Sequence, residues 1–265
     1  MGKPRIGIFK YSCCAGCQFQ LIYFIRHVAE ILGAIDLVYG KMETESDAED
    51  GPFDLALIEG AITEAEQADQ LKRVRRNSKY LVAFGSCATN GGIPAMKNIQ
   101  PELQIETRVY QDISRIHSVK THPIYEYVKV DAQVRGCPAG ERDLYELVIS
   151  LLLDRKPNMV EHCVCVECKM KGNPCLLLTE NLPCMGPVTN AGCGALCPSN
   201  GRACYSCWGP MSNANSMALA QKFEDMGLPP DEIIRRFSLF GFPTYEFHMV
   251  AGEEAARSSG GVFGR

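Results

Sequence analysis

The residues best equipped for chemistry are the fourteen cysteines. Nine lie between Cys163 and Cys207: Cys163, Cys165, Cys168, Cys175, Cys184, Cys193, Cys197, Cys204 and Cys207. Two gaps are C-x2-C, Cys165/Cys168 and Cys204/Cys207, and a third such pair, Cys14/Cys17, stands near the N-terminus. Thiols at this spacing grip one metal centre with a single turn of backbone, as in zinc and iron–sulfur sites. The net charge of −4 offers no basic footprint for nucleic acid. No apolar run approaches the roughly 18 residues that span a bilayer. The N-terminal residues run straight into a strand pattern without a charged and then apolar leader, and Arg75-Arg76 is internal with no apolar segment after it. A cytoplasmic location is therefore expected, where thiols stay reduced and bind metal rather than pair as disulfides.

The elements that must position these thiols alternate. Residues 5–12 read as a buried strand. Residues 16–32 read as a helix, with Leu21, Phe24, Ile25, Val28, Ile31 and Leu32 on one face and Gly33 ending it. Residues 35–39 and 53–60 read as strands, separated by an acidic solvated loop over 43–50. A charged helix over 62–77 and a strand over 80–85 follow. Residues 101–128 hold a short helix and an extended insertion, 130–135 a fifth strand, and 141–153 a helix. This order predicts an α/β fold, a flavodoxin-like parallel sheet with helices on both faces, over residues 1–157. Residues 158–265 are expected to form an irregular iron–sulfur domain.

Parallel sheets place ligands at the carboxyl ends of their strands. Cys14 and Cys17 follow the first strand, Cys87 the fourth and Cys137 the fifth, so four thiols from three strand ends should converge. Four thiolates are the ligand set of a [4Fe–4S] cluster. Cys17 also opens a helix, where the dipole favours a thiolate. A flavin-phosphate loop would want hydroxyls and glycines where Ser12-Cys-Cys-Ala-Gly-Cys17 stands. Cys13 reads as a spare buried thiol.

Between Cys163 and Cys207 there is little periodicity and much Gly and Pro. Such a segment buries too little to order itself, and metal would supply the missing free energy. Eight of its thiols make two sets of four, Cys163 being the one omitted. Taken in order, the sets are Cys165, Cys168, Cys175, Cys184 and then Cys193, Cys197, Cys204, Cys207. Interleaving is equally open, because Cys193-x3-Cys197-Pro198 is similar to the end of the bacterial ferredoxin run, whose last cysteine ligates the other cluster. His162 reads as a surface histidine and Trp208 as packing against a cluster or partner. Helices are expected over 213–227 and 231–240, with Asp231 as an N-cap. After them comes an aromatic tail able to lie against another subunit, and a mobile Ser-Gly-rich end.

Cys14-Ala-Gly-Cys17, Ile58-Glu-Gly-Ala-Ile62, Gly85-Ser-Cys-Ala88, Gly136-Cys-Pro138, Cys184-Met-Gly-Pro-Val-Thr189 and Cys204-Tyr-Ser-Cys-Trp-Gly-Pro210 occur in this order. Together they resemble the electron-transferring small subunit of [NiFe] hydrogenases over residues 5–215, and within it the cytoplasmic group of sulfhydrogenase delta and F420-non-reducing hydrogenase small subunits. The resemblance implies three [4Fe–4S] clusters, with no nickel in this chain. One cluster, at Cys14, Cys17, Cys87 and Cys137, would be proximal to a nickel–iron site in a separate large subunit. Two further clusters would lead to flavin- or iron–sulfur-bearing acceptor subunits. Cys165 stands where membrane-bound relatives use histidine. Matched to the periplasmic pattern, Cys184, Cys204 and Cys207 would serve the middle cluster and Cys175 the outer one, which leaves Cys193 and Cys197 open. Cys13 stands where many relatives carry an acidic residue. Glu59 is expected to bond backbone amides around Cys14 or Cys87.

Two other readings are the cluster-bearing subunit of quinone-reducing complex I, which would not need Cys17 or Cys165 to Cys207, and a zinc-stabilised interaction module. An absorption spectrum of protein purified without air separates them: iron–sulfur protein is expected to show broad visible absorption that dithionite bleaches, whereas a colourless zinc protein would contradict the cluster reading.

Overall fold

A computed structural model describes residues 2–27 and 33–259. It divides into two compact units, Met1–Met159 and Val160–Arg265.

The first unit is built on a five-stranded parallel sheet. Its strands are β1 (Arg5–Lys10), β2 (Asp36–Tyr39), β3 (Phe53–Glu59), β5 (Ser78–Phe84) and β7 (Ala132–Val134), in the order β2-β1-β3-β5-β7. That is the flavodoxin-like order once the excursions between strands are set aside. The short β4 (Ile62–Glu64) pairs antiparallel with β6 (Ser118–His122) in a separate sheet. Side chains alternate across the main sheet as the pleat requires. Ala56, Ile58, Leu81 and Ala83 pack on one face with Ala68, Leu71 and Val74 of helix α2 (Ala65–Arg76). Leu55, Leu57, Val82 and Phe84 pack on the other, with Leu21 and Phe24 of α1 (Gly16–His27) and Leu144 and Leu147 of α5 (Glu141–Leu152). Both faces are therefore covered, and the central strands read as near-continuous apolar runs for that reason.

Between β5 and β6 lie α3 (Ser86–Asn90), a 3-10 segment (Ile93–Ile99) and α4 (Glu102–Val109). The helix expected from residue 62 starts at Ala65, because Ile62–Glu64 is taken by pairing with β6. Gly33 does not end a helix, since Gly33 and Ala34 are themselves helical. The expected core positions Val28, Ile31 and Leu32 lie outside the described residues, as does the Gly-rich end after Ser259. The acidic loop is tethered as well as solvated: Lys41 pairs with Asp47, and Gln70 donates to Glu49.

The second unit begins irregularly, with α6 (Val164–Met170), α7 (Leu176–Thr179) and α8 (Leu196–Ser199). It ends in α9 (Ser216–Asp225), α10 (Pro230–Ser238) and α11 (Tyr245–Ser259). These last helices give this half an apolar core of its own, beyond the metal-held order that its composition predicts. Phe223, Ile233, Phe237, Phe247 and Val250 are buried together with Val164, Met185 and Val188 from the cysteine-rich stretch. The aromatic tail thus folds back on its own unit, with the Phe237 and Phe247 rings edge to face at 5.3 Å. Asp231 is not an N-cap. Pro229 holds that position, Pro230 starts the helix where no N–H is needed, and Asp231 lies in the first turn. Asn215 does cap α9, its side chain accepting from the Ala218 N–H at 3.2 Å. Among the described residues no helix is long and apolar enough to cross a membrane.

Two outcomes follow. Phe247→Ala is expected to destabilise the second unit by about 3–5 kcal/mol, as for a large aromatic removed from a core, which denaturant unfolding followed in that unit checks. Glu146 on α5 takes both Arg155 guanidinium nitrogens, at 2.7 and 3.0 Å, and the Asn158 N–H at 2.7 Å. The Arg155 hydrogen bonds and then the Asn158 amide lower its pKa to about 2. A depressed carboxylate contributes stability that is present above its unfolded value, about 4.3, and is lost as pH falls toward the folded one. Acid titration of unfolding should show this loss in the wild type and a smaller one in Glu146→Gln.

Candidate functional sites

The ends of β1, β3, β5 and β7 are in step: Lys10 pairs with Glu59, Glu59 with Phe84, and Phe84 with Val134. Each following loop therefore leaves the sheet at one edge, carrying Cys13, Cys14 and Cys17, then Cys87, then Cys137. Backbone bonds lash the loops together. The Gly85 N–H donates to the Val134 carbonyl at 2.8 Å and the Ser86 N–H to the Gly136 carbonyl at 2.8 Å. The Tyr11 N–H donates to the Glu59 carbonyl at 2.7 Å, and Ser12 and Ala61 exchange two bonds of 3.1 Å.

Gly85 shows how closely these loops approach. Its φ is +83°, and a Cβ placed there would stand 2.3 Å from Cys17 Sγ. At Gly92, φ +52°, a Cβ would lie 2.9 Å from the Cys87 backbone and 3.0 Å from its Sγ. Only glycine accepts both the conformation and the neighbour.

Electrostatics mark the same four thiols as neighbours. Burial pushes the Cys87 thiol up to about 12, and Cys137, Cys13, Cys14 and Glu59 add to the rise. Cys17 is pushed up by burial, then by Glu59, with Cys87 and Cys137 adding. Cys137 is raised by burial and then by Cys14. The helix start at Cys17 does not make it a thiolate on its own: a helix terminus is worth about 0.3–1 kcal/mol, less than burial of this kind. Cys13 is raised to about 11, by burial first, with Glu59 contributing.

Glu59 is 1% exposed. Its Oε1 accepts the Cys17 N–H at 3.1 Å. The expected amide-binding role is thus present, at Cys17 in the loop that also carries Cys14. Burial raises its pKa, against the lowering effect of the Cys17 amide.

In the second unit a cavity is lined by Cys165, Cys168, Cys175 and Cys184, together with Lys169, Gly186, Pro187 and Pro198. These four are the first set of the in-order partition. Burial pushes Cys165 up to about 12, and Cys163, Cys184, Cys168 and Cys175 add to it. A Cβ on Gly186 would sit 3.4 Å from Cys184 Sγ and 3.5 Å from Cys165 Sγ.

Cys204 bridges toward the other set. Its N–H donates to Cys184 Sγ at 3.2 Å, and its own sulfur accepts the Ser206 N–H at 3.4 Å. Burial raises Cys204, as do Cys184 and Cys207. Cys193 is raised by burial and by Glu167. Among the described residues no three His, Cys, Asp or Glu side chains are gathered tightly enough to hold a single metal ion. A multi-atom core needs its thiols spread at its corners instead. His162 is exposed, its Nδ1 3.2 Å from the Cys163 carbonyl.

Two supporting residues were not anticipated. Glu167, inside the Cys165/Cys168 pair, accepts the Gly192 N–H at 3.1 Å and the Ala195 N–H at 3.2 Å, which fixes the loop around Cys193. Thr189 donates to the Met185 carbonyl at 2.6 Å and receives the Cys204 thiol at 3.6 Å. A carboxylate beside two metal-type cysteines was a readable signal; Thr189 carried none.

Comparison with known proteins settles the family. The profile described as NADH ubiquinone oxidoreductase, 20 Kd subunit, matches residues 14–151. That is just over half of the 265 residues. The chain belongs to this family. Within it, the chain is similar to hydrogenase small and delta subunits across both units. The sulfhydrogenase 2 delta subunit of Pyrococcus furiosus is 30% identical over 237 residues, 89% of this chain and 98% of its own. A vhu F420-non-reducing hydrogenase subunit of Methanocaldococcus jannaschii is 29% identical over 235 residues, 77% of this chain and 81% of its own. A crystal structure of an NAD+-reducing [NiFe]-hydrogenase in the H2-reduced state aligns with TM-score 0.53 and 28% identity, over 60% of this chain and 96% of that one. The actinobacterial-type NiFe-hydrogenase of Ralstonia eutropha H16 shares the fold at TM-score 0.57 and 16% identity, over 97% of this chain and 90% of that one. The family profile stops before Cys163, whereas the match to the Pyrococcus furiosus delta subunit, over 89% of this chain, takes in the cysteine-rich stretch; the match to the NAD+-reducing hydrogenase takes in 60% of this chain.

Because Gly85 meets Cys17 so closely, Gly85→Ala should displace that thiol and cost about 1–3 kcal/mol, the range for a strained positive φ. Thermal unfolding of the first unit measures the cost, and unchanged stability would contradict the contact.

Proposed function

We propose that this chain is the electron-transferring small subunit of a [NiFe] hydrogenase. The observation that carries the reading is the gathering of Cys14, Cys17, Cys87 and Cys137 at one sheet edge, in a chain similar to hydrogenase subunits along nearly its whole length. Those four would hold a [4Fe–4S] cluster proximal to a nickel–iron site carried by a separate large subunit. Cys165, Cys168, Cys175 and Cys184 would hold a second, and Cys193, Cys197, Cys204 and Cys207 a third. The cavity lined by the first four of these eight favours the in-order partition over the interleaved one. Bound clusters supply one-electron redox chemistry.

The chain's own residues prepare for that charge. The donor set fits: all fourteen cysteines are free. Gly85 and Gly92 leave room where a Cβ would press on Cys17 and Cys87. Backbone N–H groups point at Cys14, Cys184 and Cys204 sulfurs, at 3.4, 3.2 and 3.4 Å, and such bonds tune a cluster's potential. Glu59 holds the Cys17 amide and so the start of α1. Acceptors would be flavin- or iron–sulfur-bearing subunits beyond the second unit, and the location cytoplasmic. The complex I reading gains the family profile's description, but leaves Cys163 to Cys207 without a role.

Cys137→Ala should lose about four irons, one cluster's complement, while signals from the second unit persist in electron paramagnetic resonance; unchanged iron content would contradict the assignment. Cys207→Ala should open residues 163–207 to protease while α9 to α11 hold, because ligation orders the former and an apolar core the latter. Uniform protease resistance would count against it.

A further inference from the structure

One carboxylate ties the thiol-lined cavity to the loop that carries Cys193. Glu167 lies inside the Cys165/Cys168 pair on α6, the helix that brings Cys165, Cys168 and Lys169 to the cavity. Its side chain reaches residues 192–195. There Oε1 accepts the Gly192 N–H at 3.1 Å and Oε2 the Ala195 N–H at 3.2 Å, so the two oxygens bracket Cys193.

The loop is shaped for an anion. Its backbone is left-handed at Gly194 and Ala195, with φ +64° and +50°. Turns of this kind aim neighbouring N–H groups to one side, where negative charge is favoured. Two groups share that side. The Ala195 N–H that Glu167 takes also faces the Cys193 sulfur, as does the Leu196 N–H. A carboxylate that shares a donor with a sulfur stands beside it.

The other charges near this loop are cations. A Cβ on Gly194 would stand 3.3 Å from Lys171 Nζ, and the Arg202 N–H donates to the Cys197 carbonyl at 3.0 Å. Both residues are exposed, and water and salt screen them. Glu167 is half-buried, so its charge is screened less. Between residues 164 and 202 the sequence holds one further acidic residue, Glu180.

We infer that Glu167 is a positioning residue for electron transfer, which lowers the reduction potential of the centre that Cys193 helps to hold and so sets a step between that centre and the one in the cavity. The inference rests on the iron–sulfur relay proposed above. Reduction moves one electron from a neighbouring centre onto this one, and a fixed negative charge beside it opposes the gain. The carboxylate also draws the Gly192 and Ala195 N–H dipoles to itself, and N–H groups given wholly to sulfur would raise the potential instead.

The test is a redox titration followed by electron paramagnetic resonance, on the complex that contains this chain, purified without air. Cys193→Ser marks which signal belongs to the Cys193 centre. Glu167→Gln removes the charge and keeps the size. In it, the equilibrium should favour the reduced form of that centre at least about tenfold more, an upward shift of about 59 mV for one electron. Glu167→Asp keeps the charge on a shorter chain and should stay nearer to wild type than Glu167→Gln. A residue that only props the loop would give the reverse order, because Gln is the closer match in shape. Iron content should equal that of wild type in both. An unmoved potential in Glu167→Gln would overturn the inference. So would a larger shift in Glu167→Asp, a shift confined to other centres, or loss of iron from Glu167→Gln, each of which leaves the carboxylate a structural role alone. Wild-type protein without iron–sulfur signals would sink the relay itself, whereas wild-type signals that Glu167→Gln leaves in place sink this inference and spare the relay.

Discussion

Ionisable thiols brought together repel one another once charged, the more so where some are buried, as Cys17, Cys184 and Cys204 are. Every thiol with a resolved shift here is pushed up, by burial first and in most cases by other thiols next. Such a gathering is unfavourable as a set of anions and of little use as a set of neutral thiols. It becomes favourable when a cationic core accepts the sulfurs, releasing their protons as it binds. The rest of the molecule serves this constraint, by bringing sulfurs to common places and keeping other bulk away.

The two units meet it differently. In the first, a parallel sheet with both faces covered does the positioning, because strands in step deliver their loops to one edge. Burial of Leu55, Leu57, Val82 and Phe84 on one side and Ala56, Ile58, Leu81 and Ala83 on the other fixes the register, and a slip of one residue would exchange the faces. In the second, the cysteine-rich stretch has short helices and few apolar anchors, chiefly Val164, Met185 and Val188. These dock on a core built by α9 to α11. Its order thus depends on an ordinary apolar core as well as on whatever the thiols bind.

Much of this was legible in the sequence. The alternation of strands and helices and the three cysteine-bearing strand ends follow from period and spacing. What escaped was set by long-range contact. Ile62–Glu64 has the composition of a helix start, and becomes a strand because residues 118–122 come to pair with it. Phe247 was legible as an aromatic in a tail, but its burial depends on Phe237 arriving from α10. Glu59 was legible as an amide acceptor by position, yet which amide it takes depends on where α1 starts. The choice between the two partitions of the second-unit cysteines was likewise closed to spacing, because Cys184 lies beside both Cys165 and Cys204 in space.

What the thiols hold decides between iron–sulfur relay and zinc scaffold. Iron and acid-labile sulfide measured per chain, in protein purified without air, is the most direct test. Three four-iron clusters predict about twelve of each. Zinc in place of iron, with no labile sulfide, would contradict the relay whatever the fold.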